Sequence, residues 1–213
     1  DADEVLDWAG DHVHSNFRHA YAALLGAGYF IDVLSCSWLT VDASAYAALL
    51  IVDPERDFAP DEISKLFDDV VIRGMSVVVL AEWYNVRVRR KLAFYDENSG
   101  AWLTPPTGGA NVPAINSALA PFGVGFADAA LSGELPIGEH RVPVQSATAI
   151  DTFPEGGYLL RAPVLTNDAA QMTSILKLLH ARRYNVPLLG LLQLSRSPKD
   201  VHSSTLPIGG GAG

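Results

Sequence analysis

The chain has 213 residues, of which 49% are hydrophobic and 18% are charged, and its mean hydropathy is +0.17. This apolar content is enough for one substantial core and excludes disordered, collagen-like and fibrous proteins. The net charge of −9 repels phosphate backbones, so no nucleic-acid partner is expected. No apolar run approaches the ~20 residues that cross a bilayer, which predicts no membrane span in this chain. Cys36 is the single cysteine, which excludes an internal disulfide and any zinc site built from cysteines.

Both ends of the chain have the composition of internal segments of a longer protein. Residues 1–7 contain no Met, no basic stretch and no apolar signal core. Residues 206–213 (LPIGGGAG) are typical of a flexible linker. We therefore expect one domain over residues 1–194, followed by a linker containing Ser, Gly and Pro over residues 195–213.

The first predicted elements are a helix and two strands. Apolar residues recur at helical spacing from Phe17 to Leu25, after the possible caps Ser15 and Asn16, and Gly26 or Gly28 ends this helix. Residues 29–34 then form a short β-rich segment. Residues 46–52 are apolar throughout, as in a strand buried on both faces.

The next helix has the clearest pattern in the chain. Pro60 suits its first turn, Asp61 and Glu62 lie at the positive end of its dipole, and Gly74 ends it. Its predicted buried face comprises Ile63, Leu66, Phe67, Val70 and Val71. Residues 75–80 follow as a second buried strand.

The remaining pattern alternates helices and strands. Helices are predicted over residues 83–92, 112–119 and 168–182, the second of them capped by Asn111. Residues 122–165 form a glycine-rich region of strands and turns, and residues 186–192 form a last apolar strand. This alternation predicts an α/β fold, flavodoxin-like or amidotransferase-like, with helices on both faces of a parallel sheet. Residues 1–11 are too acidic for the opening strand, so either the first strand lies upstream of residue 1 or the fold is not a complete α/β unit.

Three motifs have a chemical interpretation and a structural alternative. His12 and His14 have the spacing of a metal site on a strand, but the absence of a second ligand cluster favours local hydrogen bonding. Cys36 lacks the flanking glycines of a nucleophile on a sharp turn, which favours a small buried thiol. Gly108 and Gly109 precede a capped helix and could hold an anion, but a structural turn is favoured.

The positions where an amidotransferase-like domain would carry its nucleophile hold Glu82 and Trp83 instead, and no serine-hydrolase signature occurs in the chain. No catalytic residue, cofactor or metal is therefore predicted. The one dense basic run, residues 87–91 (RVRRK), is interpreted first as a solvated face and second as a partner surface. That possible surface comprises Trp83, Tyr84, Arg87, Arg90 and Lys91.

Several sequence segments resemble the region after the catalytic domain in the site-1 protease family. This is a family of membrane-bound, subtilisin-like serine endopeptidases. The segments are residues 7–18 (DWAGDHVHSNFR), 28–34 (GYFIDVL), 42–44, 83–85, 94–98 (FYDEN), 107–114 (TGGANVPA), 122–128 and 186–190 (VPLLG). The likeness covers residues 7–194 and is weakest between 135 and 184.

The resemblance implies a degenerate amidotransferase-type domain beside a protease of the Golgi and endoplasmic reticulum lumen, in a type I membrane protein. In the family pattern one strand precedes this region and another follows it, so the first and last strands of the sheet are expected to be missing from this chain. No position of this chain matches the family's catalytic triad. The implied role is non-catalytic: stabilising the upstream catalytic domain, or docking a regulatory protein or a substrate. Two alternatives remain open, a stand-alone amidotransferase-like enzyme for a small molecule and a module that binds sugars or anions.

Overall fold

The computed structural model describes residues 12–15, 17–54, 56–91, 93–103, 111–166 and 184–194. Four α-helices lie in these ranges: α1 Arg18–Gly26, α2 Pro60–Val71, α3 Val86–Lys91 and α4 Val112–Leu119. Ten strands accompany them: β1 Ala48–Val52, β2 Ser76–Leu80, β3 Phe94–Asp96, β4 Ala101–Leu103, β5 Gly125–Phe126, β6 Leu131–Ile137, β7 His140–Ala147, β8 Ile150–Thr152, β9 Tyr158–Thr166 and β10 Tyr184–Leu191. Single 3₁₀ turns form at Trp38–Thr40, Ala43–Ala45 and Ala120–Phe122. The predicted α/β class is confirmed.

The first core forms between a parallel strand pair and two helices. Strands β1 and β2 pair in parallel from Ala48 opposite Ser76 to Val52 opposite Leu80. Helix α2 contributes the buried Leu66 and Val70, as its apolar spacing predicts. The cluster comprises Trp38, Ala43, Leu66, Val70, Met75, Val112, Ile115, Ala118, Leu119 and Phe122.

The parallel pair is covered on one face only among the described residues. Leu49, Val77 and Val79 pack against the first core. On the opposite face, Leu50 is 44% exposed and Leu80 is 54% exposed. The prediction that both strands are buried on both faces is therefore wrong for the described part of the chain, although both strands form close to the predicted places.

The second half of the described chain forms an antiparallel sheet in the order β10–β9–β6–β7. Residues 186–192 do contain a strand, β10, but it runs antiparallel to β9. The single parallel sheet of the prediction is therefore not found here. A physical reason is the short connection Gly138–Glu139 between β6 and β7, since a two-residue turn can join only antiparallel strands. A second cluster supports this sheet: Leu131, Leu135, Ala149, Ala162 and Val164.

The N-terminal helix is confirmed, but it contributes no buried residue. The predicted strand over residues 29–34 is wrong: the segment has no regular secondary structure, and Phe30 is fully exposed. A strand needs a neighbour to satisfy its backbone groups, and this segment pairs with no described strand.

Helix α3 is shorter than the predicted 83–92. The backbone N–H of Tyr84 donates to the carbonyl of Ala129 at 3.0 Å, and Asn85 is buried, so tertiary contacts hold these residues outside the helix. The predicted helix at 168–182, the Gly108–Gly109 turn and the linker at 195–213 lie outside the described residues. No helix in the described ranges is both long and apolar enough to cross a membrane.

Candidate functional site

The carboxyl ends of β1 and β2 are where an α/β domain would carry a ligand site. Directly after β1, Asp53 has a left-handed backbone with φ of 40°. Its Oδ1 accepts the backbone N–H of Asn111 at 2.9 Å, and the Asn111 side chain caps α4 by accepting the N–H of Ala114. A carboxylate of the chain itself thus accepts the backbone N–H of the residue that directly precedes α4.

Among the residues after β2, Tyr84 and Asn85 contribute to the packing of the domain. Glu82 is exposed, Trp83 is half-buried, and Tyr84 packs against the first core. The place where an amidotransferase-like domain would present a nucleophile therefore carries a carboxylate and an aromatic ring. Neither side chain is the thiol or hydroxyl that serves as the nucleophile in acyl transfer.

The residues of the predicted partner surface differ in how far they are buried. Tyr84 packs against the core cluster, whereas Arg90 and Lys91 on α3 are exposed. Arg87 lies on the same helix, and its side chain is outside the described part. The assignment of these residues to a partner interface stays a prediction.

A hairpin that follows α3 in the chain adds two exposed aromatic rings. Strands β3 and β4 pair with each other and place Tyr95 opposite Trp102. The two rings meet edge to face with centroids 5.9 Å apart, while 52% of Tyr95 and 70% of Trp102 stay exposed. The surface predicted from the sequence includes neither ring, because residue type alone does not separate exposed aromatic side chains from the half-buried Trp83.

The predictions made for Cys36 and for the two histidines have different outcomes. Cys36 is exposed, so the prediction of a buried thiol is wrong. The hydroxyl of Thr40 donates a hydrogen bond to Sγ of Cys36 at 3.3 Å. The local alternative for the histidines is confirmed: the backbone N–H of His14 donates to Nδ1 of His12 at 3.1 Å. The described ranges contain no group of three or more His, Cys, Asp or Glu side chains arranged to hold a metal ion.

The strongest electrostatic feature is the buried carboxylate of Glu62, which is 2% exposed at the start of α2. It accepts hydrogen bonds from Arg56 at 2.9 Å, from the Ser37 hydroxyl at 2.5 Å, and from the backbone N–H groups of Trp38 and Ala59. The Arg56 guanidinium, followed by the Ser37 hydroxyl, lowers the pKa of Glu62 to about 2.

Asp69 is a second buried carboxylate two turns further along α2, with no exposed surface. It accepts from the Trp38 indole N–H at 3.1 Å and forms ion pairs with Lys65 at 2.6 Å and Arg73 at 2.9 Å. The ammonium of Lys65 also lies 4.6 Å from the Trp38 ring centroid. Together, Glu62 and Asp69 fasten the turn at residues 37–38 to α2, which is a structural role.

Sequence reasoning missed both carboxylates as buried groups. One signal was present: Glu62 and Asp69 are seven residues apart, on the same helix face as Leu66 and Val70. Acidic residues inside an apolar stripe are typical of buried, partnered carboxylates.

The residues described above belong to a chain with clear relatives among known proteins. Residues 1–201 match the family described as "MBTPS1, fourth GATase-like domain". The chain belongs to this family. It is 42% identical over 202 residues to "Subtilisin-like protease SBT6.1" of Arabidopsis thaliana, an alignment that covers 95% of this chain and 20% of that protein.

Two mammalian proteins named "Membrane-bound transcription factor site-1 protease" are similarly related. The human protein is 42% identical and the rat protein 44% identical, each over 191 residues that cover 90% of this chain and 18% of the relative. The chain therefore spans about one fifth of the length of these relatives. The resemblance to the site-1 protease family is confirmed, and this fourth GATase-like domain corresponds to one region of a longer, subtilisin-like protein.

Proposed function

We propose that this chain is a non-catalytic accessory domain of a site-1-protease-like serine endopeptidase, and that it stabilises the protease by packing against the rest of the polypeptide. Peptide hydrolysis in that protein would belong to an upstream catalytic domain with its own Ser, His and Asp. The name of the mammalian relatives supports a membrane-bound protein, and we propose the lumen of the secretory pathway, from the endoplasmic reticulum to the Golgi, as its location.

The observation that carries this proposal is an incomplete first layer. Strand β1 pairs with β2 on one side, and its other edge has no partner strand among the described residues. An open edge with apolar side chains is a site for pairing with further polypeptide. Leu50 and Leu80 present such side chains on the uncovered face.

The N-terminal part of the structure fits the same idea. Residues 29–34 are rich in aromatic and β-branched side chains, and four large ones are exposed without strand pairing: Tyr29, Phe30, Val33 and Leu34. The hydroxyl of Tyr46 donates to Oδ2 of Asp32 at 2.9 Å, which ties this segment to the stretch leading into β1. A strand from another part of the protease, inserted between this segment and β1, would pair both. We propose that the domain over residues 1–194 is completed in this way.

Hydrogen exchange tests the proposal directly. Backbone amides of residues 29–34 are compared in the isolated 213-residue chain and in the full-length protease that contains it. We expect exchange within seconds in the isolated chain and a slowing of at least about 100-fold in the full-length protein, because paired amides exchange only on opening. Equal exchange rates in the two proteins would overturn the proposed completion of the sheet.

A matched pair of variants tests the uncovered face in the full-length protease. Leu50→Lys places a charge on that face, whereas Ile72→Lys places one on a side chain that is 74% exposed at the end of α2. We expect Leu50→Lys to lower the yield of folded, active protease several-fold and Ile72→Lys to leave it unchanged. The isolated chain should cleave no peptide, and cleavage by the pure chain would contradict its non-catalytic role.

Docking of a regulatory protein or substrate is the second part of the proposal. The surface predicted from the sequence, Trp83, Tyr84, Arg87, Arg90 and Lys91, supports it through the exposed charges of Arg90 and Lys91. None of these residues belongs to β1 or to residues 29–34, so the two interactions can be tested independently.

A further inference from the structure

The hairpin formed by β3 and β4 carries two exposed aromatic rings in contact with each other, Tyr95 and Trp102. Its strands pair only with each other among the described residues. The two rings stand on the same face of the hairpin, because their residues are directly opposed in the register. Trp and Tyr are the residues that most often provide the binding energy of protein interfaces.

The tip of this hairpin is held in one conformation. Oδ1 of Asp96 accepts the backbone N–H of Asn98 at 3.2 Å, and Oδ2 accepts that of Ser99 at 3.0 Å. Gly100 has φ of +64° and donates to the carbonyl of Asp96 at 2.9 Å. Hydrogen bonds from the Ser99 hydroxyl first, and then from these backbone groups, lower the pKa of Asp96. The aromatic face is therefore presented with little conformational entropy left to lose on binding.

Basic residues precede the hairpin in the chain, whereas acidic residues lie at its tip. The strand β3 begins three residues after the exposed Lys91, so the backbone positions of Lys91 and Tyr95 are at most about 14 Å apart. The basic run at residues 87–91 contains four positive side chains in a chain of net charge −9. The acidic Asp96 and Glu97 lie at the tip, and the carboxylate of Asp96 is already engaged in the turn.

From this arrangement we infer that the Tyr95–Trp102 face and the exposed Arg90 and Lys91 form one docking surface for an extended, acidic polypeptide segment of a partner protein. The segment lies across the two rings and directs its Asp or Glu side chains toward the base of the hairpin. This inference rests on the proposed accessory role and specifies the chemistry of the partner surface. It replaces Trp83 and Tyr84 by Tyr95 and Trp102 as the aromatic anchors.

The probe for this inference is a phage-displayed library of random peptides, selected on the full-length protease that contains the 213-residue chain. We expect selected peptides to be rich in Asp and Glu and to bind more weakly as salt is raised, because the contacts with Arg90 and Lys91 are screened. Affinity is then measured by fluorescence anisotropy of a labelled selected peptide. Trp102→Ala should weaken binding at least tenfold, and the double variant Arg90→Glu, Lys91→Glu should weaken it by a similar factor.

Arg141→Glu provides the matched control, because Arg141 is also an exposed basic residue but lies on β7 of the four-stranded sheet. It should bind the peptide as the unchanged chain does. The inference is overturned if the library yields no acidic binders or if Trp102→Ala binds normally. Exchange at residues 29–34 in the full-length protease does not involve the hairpin, so failure here and failure of the proposed completion of the sheet are distinguishable.

Discussion

The regions containing α1 and α2 have similar sequence patterns and different structural outcomes. Each has an amphipathic helix, a glycine with positive φ (Gly28 and Gly74) and a β-rich stretch. Helix α2 buries Glu62, Leu66, Asp69 and Val70, and the stretch after it becomes β2, paired with β1. Helix α1 buries nothing, and the stretch after it pairs with no described strand.

This difference shows that an apolar pattern indicates that a helix requires a packing partner and a strand requires a neighbouring strand. Whether the segment packs or pairs depends on whether the rest of the chain provides that partner. A helix gains most of its stability from the packing of its apolar face, and a strand from its neighbours. The region of α2 finds both within the described chain. The region of α1 has the same needs, which the rest of the protease is proposed to meet.

The largest expected effect comes from removing one leucine from each helix. Leu66→Ala should lower the free energy of unfolding by about 3 kcal/mol, because it leaves a cavity in the first core. Leu25→Ala, at a position 45% exposed on α1, should cost under about 0.5 kcal/mol. Urea unfolding followed by tryptophan fluorescence measures both. Equal losses would show that α1 packs as firmly as α2.

The pH dependence of stability tests the buried carboxylate that fastens α2. The folded-state pKa of Glu62 is lowered to about 2 from an ordinary value of 4.5. Its contribution is therefore fully present above pH 4.5 and is lost as the pH falls from 4.5 toward 2. Glu62→Gln should cost roughly 2 kcal/mol at neutral pH, since the hydrogen bonds that Arg56, Ser37 and Ala59 donate lose their charged acceptor.

The same variant provides the check on the cause. Unfolding of Glu62→Gln should depend less on pH between 4.5 and 2 than unfolding of the unchanged chain. If both proteins lose stability in parallel over that range, another carboxylate controls the acid response.

A pair of glycines extends the comparison to strands. Gly133 lies on β6, which has a partner strand on each side, and a Cβ there would come within 2.7 Å of the Pro163 carbonyl. Gly133→Ala should therefore cost about 1.5 kcal/mol. Gly156 lies in a turn where an added Cβ would meet no atom within 4 Å, and Gly156→Ala should change stability by under about 0.5 kcal/mol. Thermal unfolding compares the two, and equal midpoints would contradict the close packing at Gly133.

The smallest expected effect on stability comes from the hydrogen bond that joins the segment after α1 to the stretch before β1. Tyr46→Phe removes the hydrogen bond to Asp32, and both groups are exposed. The free energy of unfolding should change by less than about 0.5 kcal/mol. Cleavage of the isolated chain by a nonspecific protease within residues 29–34 should become faster, which limited proteolysis with mass spectrometry can measure. An unchanged cleavage rate would show that the bond does not restrain the segment.

Local patterns predicted the local structure well. Pro60, the acidic first turn and Gly74 were sufficient to place α2, and Asn111 was correctly identified as the cap of α4. The apolar strands β1, β2 and β10 were also found close to their predicted places. These features depend on residues within about one turn or one strand of each other, which periodicity can detect.

Features that depend on distant residues could not be predicted. The direction of β10 is set by its pairing with β9, and an apolar strand has the same pattern in either direction. The burial of Glu62 depends on Ser37, 25 residues earlier, and its partner Trp38 also binds Asp69. The exposure of Cys36 likewise depends on which parts of the chain cover it, while residue type indicates only an average tendency.

The geometry of Asp53 restricts which amino acids this position can accept. Its φ of 40° disfavours most side chains, and its Oδ1 joins the end of β1 to Asn111 across 58 residues of sequence. Glycine would adopt this φ without strain but would lose the oxygen that accepts the N–H of Asn111. Alanine would keep the strain and lose the oxygen as well. Asparagine alone combines tolerance of the left-handed region with an oxygen at the same reach, so a saturation library at this codon should retain Asp and Asn.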